Sequence, residues 1–168
     1  CSNTEGLSAA YNRKLEQYAF SKAEFLVFVH DDVYIDDLKL LKKLRQAYYH
    51  FGFNIIGLAG ASKIFPNNPA LWHRMSQRSD QHGNVAHFDQ YGRMGVSNYG
   101  MSPARVAIAD GLFLAVHLPS VLKAGWKFNE NYKFHHYDLA SCLDALVLGL
   151  TIGVFPIHVI HQSLGLSP

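Results

Sequence analysis

The sequence has only two cysteines, Cys1 and Cys142, and it has no hydrophobic run long enough to cross a bilayer. Two cysteines cannot form the disulfide framework of a small secreted protein, so we predict a reducing compartment and a cytoplasmic location. A transmembrane helix needs about 18 consecutive apolar residues, and no run here reaches that length. No charged segment followed by an apolar one opens the chain, so no signal peptide is predicted.

The chain also lacks an excess of charge of either sign. Its 168 residues include 15 lysines and arginines and 13 aspartates and glutamates, which give a net charge of +2. This balance gives no electrostatic reason to expect a nucleic-acid partner. Hydrophobic residues make up 49% of the chain, a fraction typical of a globular domain and not of a disordered chain. We therefore predict a single domain over residues 1–168.

Short apolar runs alternate with amphipathic segments along the chain. The runs are typical of strands buried on both faces, and they lie at 25–29, 55–59 and 151–154, the last expected to continue to 160. Helical spacing of apolar residues predicts four helices, at about 6–20, 37–51, 119–125 and 139–149. Alternating strands and helices predict an α/β fold with a mainly parallel sheet flanked by helices.

The stretch from Ala61 to Pro103 differs from the rest of the chain. It is polar, and its apolar residues show no sustained period. A structureless loop of this length is uncommon in a compact domain. We therefore predict a functional insertion at about 61–103, with a hairpin around Gln81–Asn84.

Three polar residues, His30, Asp31 and Asp32, follow the first predicted strand. Two adjacent carboxylates repel each other, and a divalent cation held by oxygen ligands removes the repulsion. Oxygen ligands with one imidazole suit Mn²⁺ or Mg²⁺ better than Zn²⁺. A turn or a helix start explains the pair equally well, because aspartate favours both. Asp110 follows a possible strand, so it is expected at the same edge of the sheet.

Asp138 and two histidines near the end of the chain have alternative roles. Asp138 precedes the last predicted helix, where it can cap the helix or act as a general base that accepts a proton from a hydroxyl. His158 and His161 point to opposite sides of a strand, so at most one of them faces a site. A structural imidazole is the ordinary explanation for either histidine taken alone.

Several aromatic residues can stack against a sugar ring, although such residues more often belong to a core. These candidates are Trp72, Tyr91, Tyr99, Trp126 and Tyr132.

Five segments together resemble a GT-A glycosyltransferase domain of the family-2-like kind, and they occur in the order expected for it. Residues 3–12 resemble the motif N-x-x-G-x-S-x-A-x-N, and residues 25–33 resemble the strand that ends in the D-x-D motif. Residues 109–113 resemble the "DG" strand, and residues 137–143 resemble the E-D-x-D-L-C-L-R segment. Residues 156–165 resemble the closing segment, which contains a metal-binding histidine. The resemblance covers nearly the whole chain. It implies a Rossmann-like GT-A fold, and it implies that the N-terminal strands of the sheet are missing, because Cys1 falls where the third strand should end. The sequence is then expected to be a fragment of a longer protein, the alternative being a domain without the wall that binds the base.

The resemblance implies a metal-dependent, inverting glycosyltransferase of the hexosyltransferase type. Its donor is a nucleoside-diphosphate sugar, with a UDP-sugar favoured, and its acceptor is a hydroxyl of a glycan or another molecule. By position in the motifs, Asp32 and His161 hold Mn²⁺ or Mg²⁺. Asp31 faces the ribose or the outer shell of the metal, and Asn12 contacts the nucleotide.

On the acceptor side, the resemblance implies that Asp110 lines the junction of donor sugar and acceptor. It also implies that Asp138 is the base of an inverting displacement. The insertion at 61–103 is expected to carry the specificity for the acceptor, because loops over strand ends hold variable contacts.

The chain departs from the family pattern at four positions. His30, Tyr137, Ala140 and Asp144 stand where the pattern has Asp, Glu, Asp and Arg. These departures keep a second function open, a catalytically impaired protein that binds nucleotide or glycan on the same fold. A third alternative, from another class, is a metal-dependent hydrolase that uses the adjacent carboxylates and the histidines.

Overall fold

The computed structural model describes residues 5–64, 71–88 and 91–162. The helices are α1 (Leu7–Tyr18), α2 (Leu40–Phe51), α3 (Trp72–Met75), α4 (Leu118–Ala124) and α5 (Tyr137–Val147). The strands are β1 (Phe25–Val29), β2 (Val33–Ile35), β3 (Ile55–Gly57), β4 (Ala59–Ala61), β5 (Gln81–Phe88), β6 (Met94–Gly100), β7 (Ala104–Val106), β8 (Ile108–Ala109), β9 (Phe113–His117), β10 (Ile152–Val154) and β11 (Val159–His161). None of the helices in these ranges has the length and hydrophobicity that a membrane span requires. Cys1, residues 3–4 of the first motif and residues 163–165 of the last lie outside the described residues.

The described strands form two mixed sheets. The first has the order β1-β9-β3-β10-β7, and the second has the order β2-β11-β5-β4-β8, with β6 also paired to β5. Among the described strands, only the pairs β10–β3 and β11–β5 are parallel. The α/β class is confirmed, but the prediction of a mainly parallel, Rossmann-like sheet is wrong.

A continuous apolar run indicates that both faces of a strand are buried, but it does not indicate whether the strand runs parallel or antiparallel to its neighbours. In β9, Phe113 and Ala115 pack in the core cluster that contains residues of α2, whereas Leu114 and Val116 pack in the cluster that contains residues of α1, α4 and α5. Both faces of this antiparallel strand are therefore covered. An antiparallel strand in this position acquires the continuous apolar sequence that is usual for parallel strands.

The four predicted helices are present, with differences of a few residues at their ends. Two of them end as expected at a glycine with a left-handed backbone, Gly52 after α2 (φ 71°) and Gly125 after α4 (φ 69°). Glycine carries no Cβ and adopts this conformation without the steric penalty of other residues.

Two predictions about strands are corrected. The apolar stretch 151–160 forms two strands in different sheets, because Pro156 has no N–H to continue a ladder and the chain crosses between the sheets there. The stretch 61–103 contains α3 and a hairpin of β5 and β6. Residues 81–84, predicted at the turn, instead begin β5.

Candidate active site

A cavity of about 400 Å³ lies where strands of both sheets end. Its walls include His30 after β1, Asp110 between β8 and β9, and His161 in β11. Another part of the wall comes from α3, β5 and β6, through Trp72, His73, Val85, His87, Ser97 and Tyr99. The volume lies within the range of small-molecule sites.

Asp32 and His161 meet beside this cavity. Nε2 of His161 is 3.0 Å from Oδ2 of Asp32. They are neighbours because β2 and β11 are antiparallel, with Val33 opposite His161. The N–H of Gln162 also donates to the carbonyl of Asp32, at 2.8 Å. The second carboxylate oxygen of Asp32, Oδ1, is buried and has no hydrogen-bond partner among the described residues.

The pair formed by Asp32 and His161 fits an open cation site. Buried polar atoms nearly always have a partner, and a cation would satisfy Oδ1 of Asp32. Mg²⁺ is commonly held by one or two protein groups and completes its coordination with water and substrate phosphates. Within the ranges that the structure describes, no cluster of three histidine, cysteine, aspartate or glutamate side chains could enclose a metal. A cation here therefore needs oxygen atoms from a substrate or from water.

Asp138 lies in the first turn of α5, and its two oxygens accept hydrogen bonds from the backbone. Oδ1 accepts from the N–H of Leu139 at 2.9 Å, and Oδ2 accepts from the N–H of Gly111 at 3.0 Å. Burial, and after it the charge of Asp110, raise the pKa of the Asp138 carboxyl although these hydrogen bonds lower it. Asp138 is thus an oriented carboxylate of increased basicity, and Asp110 next to it lines the cavity.

A family model described as "Glycosyltransferase like family" matches residues 1–163 of the chain. The chain belongs to this family. The resemblance to family-2-like glycosyltransferases is thereby confirmed, and membership indicates glycosyl transfer from a sugar donor to an acceptor. A separate comparison with curated proteins gave no match.

The departures from the glycosyltransferase pattern lie in different surroundings. Tyr137 is buried, and its hydroxyl donates to the carbonyl of Gly111 at 2.9 Å and lies 3.1 Å from Nε2 of His30. Ala140 is buried as well. Asp144 accepts a hydrogen bond from the side-chain amide of Asn129 at 3.2 Å. Of the four departures, His30 is the one that lines the cavity.

Asn12 serves the fold in this structure. It is only 4% exposed, its Nδ2 donates to the carbonyl of Phe128 at 2.9 Å and to Oε1 of Glu130 at 2.8 Å, and its Oδ1 accepts from the N–H of Phe128 at 2.8 Å. Both amide hydrogens are therefore used inside the protein. The contact of Asn12 with the nucleotide stays a prediction, and these hydrogen bonds favour a structural role for the side chain.

We expect Asn12→Ala to lower the free energy of unfolding by about 1–3 kcal/mol, because it leaves buried backbone groups of Phe128 without partners. Urea denaturation followed by circular dichroism measures the change. Lys14→Ala, on the exposed side of the same helix, is the control and should change little. Unchanged stability together with weaker nucleotide binding would instead support a contact between Asn12 and the nucleotide.

The remaining candidates are divided between the cavity and other places. Asp31 is exposed, and its role at the ribose stays a prediction. Trp72 and Tyr99 line the cavity with ring centroids 5.0 Å apart, whereas Trp126 is a core residue whose Nε1 donates to the carbonyl of Ser141 at 2.9 Å. His158 is exposed and lies 3.7 Å from a carboxylate oxygen of Asp36, so His161 is the histidine of this segment that faces the cavity.

Sequence reasoning misses His73, His87 and Ser97. The available signal is a period of two in the hairpin, because Val85 and His87 in β5 line the cavity together, as do Ser97 and Tyr99 in β6. Alternate residues of a strand share a face. The polar composition of the stretch hides this alternation, since Val85 and Tyr99, which pack on an apolar cluster, alternate on the same face with His87 and Ser97.

Proposed function

We propose that the protein transfers a sugar from a nucleoside-diphosphate sugar to an acceptor hydroxyl, with inversion at the anomeric carbon and with dependence on Mn²⁺ or Mg²⁺. A UDP-sugar is the favoured donor. One observation carries the proposal: Asp32 and His161, 129 residues apart in the chain, meet at 3.0 Å beside the cavity while a buried oxygen of Asp32 has no partner among the described residues.

The residues have distinct roles in this proposal. Asp32 and His161 hold the cation, and Asp31 faces the ribose. When bound, the cation supplies positive charge to the leaving diphosphate. Asp138 accepts the proton of the acceptor hydroxyl as the new bond forms, because that hydroxyl is a poor nucleophile while protonated. Asp110 lines the part of the cavity where sugar and acceptor meet.

A second function, binding of nucleotide or glycan without catalysis, is favoured by one observation. Both oxygens of Asp138 already accept backbone N–H groups, and of the two neighbouring aspartates it is Asp110 that lines the cavity. Retained binding without turnover distinguishes this function from transfer. Cleavage of simple phosphate esters without preference for a nucleotide would instead identify a hydrolase.

We expect nucleoside diphosphates to stabilise the protein only when Mn²⁺ or Mg²⁺ is present. At a concentration one hundred times Kd, the stabilisation should be about 2.7 kcal/mol. A thermal-shift screen of UDP, GDP, CDP and ADP, with MnCl₂ or with EDTA, measures it. Asp32→Ala should abolish the metal-dependent part, because the cation loses its carboxylate ligand.

The control for this screen is Asp36→Ala, which removes an exposed aspartate four residues further along the chain. It should retain the full metal-dependent shift. Equal shifts with and without metal, or an undiminished shift in Asp32→Ala, would contradict the assignment of the cation to Asp32 and His161.

A further inference from the structure

The hydroxyl of Tyr137, in α5, contacts one residue after β1 and one residue between β8 and β9. It lies 2.9 Å from the carbonyl oxygen of Gly111 and 3.1 Å from Nε2 of His30. The ring itself is fixed by packing, since it is 3% exposed and contacts the ring of Tyr11 edge to face, with centroids 5.9 Å apart. Both hydrogen-bond partners are thus held by a side chain that has little freedom to move.

The two hydrogen bonds determine which nitrogen of His30 carries a proton. Burial raises the pKa of the Tyr137 hydroxyl, so this group stays protonated and has one hydrogen to donate. The hydroxyl of Tyr11 also neighbours that of Tyr137, but it has its own hydrogen, which it donates to the carbonyl of Val29. The carbonyl oxygen of Gly111 only accepts, so the hydrogen of Tyr137 goes to Gly111. Nε2 of His30 must then be the donor to the tyrosine oxygen. In the neutral imidazole, Nδ1 consequently keeps its lone pair.

Nδ1 of His30 is available to a ligand. Within the described residues it has no hydrogen-bond partner, and it is not among the buried unpartnered atoms. The side chain lines the cavity together with Asp110 and His161. A lone pair at this place accepts a hydrogen bond from a hydroxyl group and repels phosphate oxygens, which are themselves acceptors.

We propose that Tyr137 is a positioning residue that holds His30 as the Nε2–H tautomer, so that Nδ1 accepts a hydrogen bond from a hydroxyl of the bound sugar nucleotide. This inference rests on the proposed function. It assigns His30 to a hydroxyl and not to the cation, since the described residues contain no cluster of three metal-ligating side chains.

Nuclear magnetic resonance tests the tautomer without any ligand. Long-range ¹H–¹⁵N spectra of protein labelled with ¹⁵N-histidine distinguish the two tautomers, and His30→Gln assigns the signal. We expect the Nε2–H form in the wild type and a mixture in Tyr137→Phe, which keeps the ring and removes the hydroxyl. Tyr48→Phe, at a half-buried tyrosine on α2, is the control. An Nδ1–H form in the wild type, or an unchanged spectrum in Tyr137→Phe, would overturn the positioning role.

Calorimetric titration with UDP-glucose and with UDP, both in MnCl₂, tests the hydroxyl contact. We expect His30→Phe to raise the Kd of UDP-glucose about three- to tenfold, the effect of one neutral hydrogen bond. His30→Gln keeps a side-chain acceptor and should recover part of the loss. In the His30→Phe background, Tyr137→Phe should not raise the Kd further, because both substitutions act through the same contact.

The two ligands distinguish the possible sources of the hydroxyl. If His30→Phe weakens the binding of UDP as much as that of UDP-glucose, the hydroxyl belongs to the ribose. If it weakens only the binding of UDP-glucose, the hydroxyl belongs to the transferred sugar. No loss for either ligand overturns the contact and leaves the proposed function intact. If the wild type binds neither ligand with Mn²⁺, the assignment of a UDP-sugar donor fails and the contact is overturned with it, whereas the spectra still decide the tautomer and the thermal-shift screen decides the proposed function.

Discussion

Asp138→Asn is expected to lower the turnover number about 10²- to 10⁴-fold while the Kd of the donor stays nearly unchanged. The amide is close in size to the carboxylate, but it cannot accept the proton of an acceptor hydroxyl. Burial and the charge of Asp110 raise the pKa of Asp138, so the substitution removes a base stronger than an exposed aspartate. Steady-state kinetics with a radiolabelled sugar nucleotide, together with titration of the donor, measure both quantities.

Asp110→Asn is the matched control for Asp138→Asn. It changes a neighbouring carboxylate whose Oδ1 accepts the N–H of Leu112 at 3.0 Å. Its effect on turnover should be smaller, because Asp110 is assigned to the cavity wall and not to proton transfer. Full turnover in Asp138→Asn with a large loss in Asp110→Asn would move the role of base to Asp110.

The pH dependence of turnover gives an independent check on Asp138. The base must be ionised, so turnover should fall as the pH decreases through a pKa above the usual range of aspartate. The negative charge of Asp110 is one cause of that raised pKa. Removing this charge with Asp110→Asn should therefore shift the decrease in turnover at acidic pH to lower pH. If turnover in this variant decreases at the same pH as in the wild type, a group other than Asp138 determines the pH dependence.

Gly111→Ala is expected to reduce turnover about 10²-fold and to lower the free energy of unfolding by about 1–3 kcal/mol. A Cβ at this position would clash with the hydroxyl oxygen of Tyr137 and would lie 3.0 Å from Cβ of Asp138. The added methyl must displace one of these side chains, and both are held by backbone groups of this same residue. Kinetics and urea denaturation measure the two effects.

The control for this substitution is Gly95→Ala in β6. There the nearest atom to an added Cβ is Nε2 of His87 at 3.5 Å, an ordinary van der Waals distance. Gly95→Ala should therefore keep both stability and turnover nearly unchanged. Wild-type turnover in Gly111→Ala would show that the close contact of this turn with Tyr137 and Asp138 is not needed for catalysis.

Periodicity in the sequence predicts the elements that form the core, but it does not predict how the strands pair. Helices α1, α2, α4 and α5 follow from apolar spacing, because each buries one face. The direction of β9 does not follow, since Phe113 and Leu114 are both buried whichever way the strand runs. A hairpin is predicted in the stretch 61–103, but its turn is placed wrongly at 81–84, because the polar composition of β5 and β6 hides their alternation.

The candidate site is predicted in part by its motifs. The resemblance selects Asp32 and His161 as partners, and no local pattern could do so, because their contact depends on the pairing of β2 with β11. Asn12 shows the opposite case. An amide suits a nucleotide and a buried loop equally well, and the three hydrogen bonds with Phe128 and Glu130, which favour the structural role, are not visible in the sequence.

The parallel ladder between β5 and β11 has a consequence for engineering this protein. His161 is the register partner of His87, and His87 belongs to the hairpin that lines part of the cavity. A graft that replaces the hairpin to accommodate another acceptor also replaces the strand that supports His161. Under the proposed roles, a redesigned acceptor pocket must therefore preserve the backbone of β5, because its loss would also displace His161 from the proposed cation site.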